Sequence, residues 1–179
     1  MRKIYFLLLL CFVCQTLSAQ NEASVIAPLI NQYQADETMF NRKYSLKQSD
    51  EYFTRMERFY ADWLRKIKAL PFAQLNLNER VDYTLLKRDI NADSRTLQEN
   101  YSNFKNNRFA VPFATAIVDF EQKRRIGKQQ NGETTAKLFT QLASDIDATK
   151  RAVANNQLIV NPIQANWAVQ TVNQYIIVF

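Results

Sequence analysis

The stretch SDEYFTRMERFYADWLRKIKALP, Ser49 to Pro71, decides the fold. Tyr52, Phe53, Met56, Phe59, Tyr60, Trp63, Leu64, Ile67 and Leu70 recur three and four residues apart, the spacing that gathers side chains on one face of an α-helix. Ser49 is placed as an N-cap, with Asp50 and Glu51 in the first turn, where carboxylates face the positive end of the helix dipole. Pro71 stops the helix. So many rings could form a platform for a sugar or a peptide, but a core face buried by neighbouring helices accounts for them more simply.

Those neighbours are legible on both sides. An opening helix over Glu22 to Phe40 turns Ile26, Leu29, Ile30 and Tyr33 inward, and a polar link, NRKYSLKQ, leads to Ser49. A third helix opens at Asn78 and carries Tyr83, Leu86, Ile90, Leu97, Tyr101 and Phe104 on one face. Asp93 lies close to that face, so it is expected to pair with an arginine from another helix, to reach water from the edge of the stripe, or to contact a ligand.

After the loop KNNRFAV, Pro112 suits a first helical position, where its missing N–H costs nothing. The helix FATAIVDFEQKRR turns Phe113, Ile117 and Phe120 inward, with Asp119-Lys123 and Glu121-Arg125 as outward pairs. Lys123, Arg124 and Arg125 meet its negative end and Gly127 caps it. A fifth helix over Glu133 to Asn155 places Phe139, Leu142, Ile146 and Val153 on one side and pairs Asp147 with Arg151 on the other. Asp145 and Asp147 are two apart, roughly 200° around the helix, and cannot share a metal ion.

The closing segment, ANWAVQTVNQYIIVF, sets Ala168, Val172, Tyr175 and Phe179 on one face that needs a partner. Either this helix folds back on its own bundle, or its partner surface lay further along a longer chain. The tripeptide Pro-Phe-Ala at Pro71 and at Pro112 is not a repeat, because the flanking residues disagree at the same offset. With Gly 2 and Pro 4 in 179 residues, the expected fold is all-α: about six helices in an antiparallel bundle-like array, an incomplete part of a larger helical protein.

The N-terminus, MRKIYFLLLLCFVCQTLSAQ, has a basic start and an apolar run of roughly ten residues, the layout of a secretory signal and too short for a permanent membrane span of about 20. Cleavage after Ala19 leaves residues 20–179 as a single helical domain, exported to the periplasm or beyond. Cys11 and Cys14 leave with the signal. Without Arg2 and Lys3 the remainder holds 21 basic against 17 acidic side chains, a net +4 in place of +6. That mild excess does not identify a ligand, and nucleic acid is not expected as a partner of an exported chain.

The sequence has His 0. Ser-His-Asp and Cys-His triads and His-rich zinc sites are therefore excluded. Carboxylate chemistry remains, as a calcium site or an Asp/Glu pair of the glycosidase type, with no motif for either.

Three stretches in order carry a family resemblance: LNLNERVDYTLLKRDI (Leu75 to Ile90), VPFATAIVDFEQKRR (Val111 to Arg125) and NGETTAKLFTQLASDI (Asn131 to Ile146). Together they resemble the N-terminal helical region of the secreted bacterial proteins of domain-of-unknown-function family 885. The resemblance implies a much longer, helix-rich parent similar to zinc metallopeptidases, sometimes labelled X-Pro dipeptidyl-peptidases, with a His-Glu…His motif far downstream. It implies zinc for the full-length parent but no cofactor in this chain, since no position here matches that motif.

The expected function follows from the resemblance: a non-catalytic helical portion of an exported metallopeptidase-like hydrolase, inactive alone. The parent would act on a peptide substrate, and the missing C-terminal portion of the same protein would be this chain's partner. Asp82, Tyr83, Asp93 and Arg124 are the candidate residues facing the substrate cleft. The alternative is a complete small periplasmic bundle acting as a binding or scaffold module.

Overall fold

A computed structural model describes residues 24–178, in which six α-helices and two short 3-10 turns alternate without a strand. The expected signal segment 1–19, both cysteines, the expected start of the first helix at Glu22 and the apolar end at Phe179 lie outside the described residues. No helix among the described residues is long and apolar enough to cross a membrane.

Helices α1 (Ile26–Lys43), α2 (Asp50–Lys68) and α3 (Leu77–Asn107) form an up-down-up layer. Side-chain contacts give its directions. Lys66 reaches Gln32, whereas Tyr52 meets Tyr44, so α1 and α2 run antiparallel. Tyr101 and Arg108 both reach Asp50, whereas Phe72, beyond the end of α2, meets Tyr83, so α2 and α3 are also antiparallel.

The Ser49 stripe is the seam of this layer. Tyr52, Phe53, Met56, Phe59, Tyr60, Trp63 and Ile67 are all buried, and Leu64 and Leu70 pack at its margin. Ile26, Ile67 and Ile90, one from each helix, are wholly excluded from water, each burial contributing roughly 2 kcal/mol. The Ser49 oxygen accepts from the Tyr52 N–H at 3.1 Å, as its cap position requires.

Several local expectations need correction. The link from Asn41 to Gln48 is not merely polar: Tyr44 and Leu46 are 1% and 2% exposed. Helix α3 is capped two residues before Asn78, at Asn76, because Asn76 and Glu79 form a capping box that satisfies two backbone N–H groups at once. The Glu79 carboxylate also accepts from the Val25 N–H at 2.8 Å, pinning the start of α1 to that of α3. The stretch from Lys105 is not a loop, since α3 runs to Asn107 and a 3-10 turn follows.

Helices α4 (Ala114–Arg125), α5 (Gly132–Ala154) and α6 (Pro162–Val178) form a second, thinner group. Pro112 sits in a turn just ahead of α4 and not inside it. Gly127 ends α4 at φ 69° in a Schellman motif: its N–H donates to the Arg124 carbonyl and the Lys128 N–H to that of Lys123. Asn156 ends α5 in the same way at φ 57°. Asn161 and Gln164 cap α6 reciprocally, each accepting the other's backbone N–H at 2.9 Å.

A small core of Leu46, Val111, Ala114, Val118 and Tyr175 joins this group to the first, and Trp167 packs on both cores. Helix α5 is the least covered. Leu142 is its one fully buried side chain, while Phe139 and Val153 stand 47% and 41% exposed. Asp147 pairs with Lys150, at 3.7 Å, in place of Arg151.

Candidate functional site

Asp82 and Asp93, two of the four expected cleft residues, line one groove of about 410 Å³ between α1 and α3. Asp82, Asp89 and Asp93 are seven and four apart and so share a face of α3, opposite Tyr33 and Glu37 of α1. Glu37 and Asp89 were not singled out from the sequence, and Tyr33 was read only as an inward core residue. The signal was present as the four-residue step from Tyr33 to Glu37 and the seven-residue step from Asp82 to Asp89.

Asp93 does not meet an arginine. Its Oδ2 accepts from the Tyr33 hydroxyl at 3.0 Å, and Tyr33 is held by a stacked contact to Phe59 and an edge contact to Trp63. Burial, reinforced by Glu37 and Asp93, raises the Tyr33 pKa far above its ordinary value, so this phenol stays a donor. Burial also raises the Glu37 carboxyl, with Asp93 adding repulsion and Lys47 partly offsetting it. Asp89 is drawn outward by Arg88, which contacts its Oδ1 at 2.7 and 2.9 Å. The groove therefore presents negative charge with one fixed phenol donor, an arrangement suited to holding a cationic group.

The other two candidates lie elsewhere. Tyr83 is buried in the first core, its ring 5.0 Å from that of Phe72. Arg124 belongs to an ion cluster on α4. There Glu121 is only 1% exposed, accepting two bonds from Arg124 and one from Arg125, whose other end reaches the Arg42 carbonyl at 2.8 Å. Burial pushes the Glu121 carboxyl up, but the bonds and charges of the two arginines outweigh it, and its pKa is lowered. The Glu121-Arg125 pair expected to face outward is thus inward, fastening α4 against the end of α1.

A second concavity, about 670 Å³, opens between α4, α5 and α6. Its walls are mostly apolar, among them Phe113, Ile117, Ile146, Val153 and Val172, with Ile176 at the margin 69% exposed.

The sequence has no imidazole, and among the described residues no three acidic side chains cluster so as to hold a metal ion. No protein-family model, curated protein or solved structure matches the chain.

Proposed function

We propose that this chain is a non-catalytic helical portion of an exported metallopeptidase-like hydrolase that acts on peptides. The observation that carries the reading is the open apolar groove between α4, α5 and α6, with Val153 and Ile176 exposed at its walls. Contiguous exposed apolar surface is a feature of sites where further protein docks, and supports this reading. The three motifs at Leu75, Val111 and Asn131 support the family, and the acidic groove holding Asp82 and Asp93 supports a wall that faces a peptide's amino terminus or basic side chain. In this reading zinc would belong to the full-length parent alone.

The test is to read the genomic DNA beyond the Phe179 codon in all three frames and to assay the purified exported chain on peptide substrates. A frame continuing into helices and a His-Glu…His motif, with no turnover by the short chain, is the expected result. Turnover by the short chain itself would overturn the reading. A stop followed by an unrelated gene would instead favour a small helical binding module, which the self-contained core of α1, α2 and α3 also suits.

A further inference from the structure

A cleft of about 580 Å³ lies where α6 crosses α2 and α3, and its chemistry differs from both concavities above. Trp167, Gln170, Thr171 and Gln174 are three, one and three apart and share a face of α6. Asn100 and Asn103 approach from α3. Gln48, on the link between α1 and α2, fixes one wall: its Nε2 donates to Thr171 Oγ1 at 3.1 Å and Gln174 Oε1 at 3.2 Å, and its Oε1 accepts from the Tyr175 hydroxyl at 3.0 Å.

That leaves unused hydrogen-bonding groups on a held frame. Among the described residues, the carboxamides of Asn100, Asn103 and Gln170 bond to no protein group, and neither does the half-buried Trp167 indole N–H. Each carboxamide offers donors and an acceptor side by side. Among the described lining residues, Lys47 is the only charged side chain.

We propose that this cleft binds a neutral, hydroxyl-rich ligand, a short oligosaccharide. Adjacent hydroxyls on a sugar ring present a donor and an acceptor at the spacing of one carboxamide, and the C–H face of the ring suits the indole of Trp167. Few convergent polar groups beside an aromatic surface are the general form of a small-molecule site. A charged ligand would find one cation and no anion.

The test titrates the exported chain with maltotriose, cellotriose and chitotriose, each followed by calorimetry and by tryptophan fluorescence, with triglycine as the competing probe. Trp63 is buried at 5% exposure, so a change in emission reports Trp167. Saturable binding of at least one trisaccharide is expected. It should weaken about tenfold or more in the doubly substituted chain N103A/Q170A, the loss that removing hydrogen-bond partners at a site produces. Both positions are exposed, so that chain should keep its circular dichroism and melting curve. Absence of saturable binding by all three sugars, unchanged affinity in N103A/Q170A, or uptake of triglycine in their place would overturn the proposal.

Discussion

The Tyr33 hydroxyl donates to Asp93 Oδ2 at 3.0 Å across sixty residues of sequence, tying α1 to α3 inside the acidic groove. Tyr33→Phe keeps the ring contacts with Phe59 and Trp63 and removes only this bond. The expected loss is about 1 kcal/mol, at the low end for a charged acceptor because Asp93 retains access to water. Asp93→Asn keeps an acceptor and should cost less. Urea unfolding followed by circular dichroism distinguishes the two, and equal stability of wild type and Tyr33→Phe would mean that solvent replaces the bond without cost.

Glu37 works against folding at neutral pH. Its carboxyl is raised in the fold by burial and by Asp93, so the folded state binds its proton more tightly than the unfolded chain does. Stability from this group is present below the unfolded pKa, about 4.3, and is lost as pH rises through the higher folded value. Glu37→Gln should therefore raise the melting temperature at pH 7 by a degree or two, a fraction of ~1 kcal/mol after solvent screening, and leave it unchanged near pH 4. Melts at both pH values check it, and a gain at pH 4 equal to that at pH 7 would refute the electrostatic account.

Glu121 has the opposite sign. Its pKa is lowered by Arg124 and Arg125, so its contribution is full above the unfolded value and disappears as pH falls through the folded one. Glu121→Gln should cost about 2 kcal/mol at pH 7, since both arginines can still turn to water but lose a charged acceptor. Below about pH 4 the difference from wild type should shrink, because the wild-type carboxyl is then titrating too. A loss that stays constant from pH 7 to pH 3 would point to packing at this buried position.

The all-α architecture was legible because it rests on local chemistry. The Ser49 cap, the stripe from Tyr52 to Ile67 and the Gly127 stop each follow from side chain and backbone within a few residues. The errors fall where a distant partner decides. Glu121 reads as a surface acid four residues from Arg125, yet the Ser45 hydroxyl donates to it and the Arg42 carbonyl accepts from its partner Arg125, both from some eighty residues away. Tyr44 and Leu46 sit in a link that looks polar by composition, yet Tyr44 is buried against Phe40 and Tyr52 of the first core and Leu46 beneath residues of α4 and α6. Asp93 was noticed for lying beside an apolar face, but a tyrosine hydroxyl on α1 carries no charge pattern that would announce it as the partner. Of the residues lining the groove, Asp82 and Asp93 were named from the sequence, Tyr33 only as a core residue and Glu37 and Asp89 not at all, since only the parallel placement of α1 and α3 brings the two helix faces together.

Helix α5 should open before the rest of the fold. Its Leu142 alone is fully buried, and one described ring contact, Phe139 against Phe120 at 5.3 Å, holds its first half. Native-state hydrogen exchange should show amides of Gly132–Ala154 opening at free energies well below those of Asp50–Lys68, whose buried face spans the whole helix. Equal protection in the two helices would mean that contacts along α5 are tighter than its exposed side chains indicate.

Two isoleucines separate the core from an exposed apolar surface. Ile67 is fully buried, and Ile67→Ala should cost about 2–5 kcal/mol through the cavity it leaves. Ile176, at the margin of the apolar groove, is 69% exposed, so Ile176→Glu should change the stability of the isolated chain by no more than about 0.5 kcal/mol. If that groove is the seat of further protein, the same charge must be desolvated when the partner docks, and a buried unpaired carboxylate costs several kcal/mol. Ile176→Glu should therefore leave the melting curve intact while abolishing binding of an apolar fluorescent dye to the free chain and assembly with the restored downstream portion. Should it instead unfold the chain, Ile176 belongs to the core of α6; should dye binding and assembly both persist, the groove is not the docking surface.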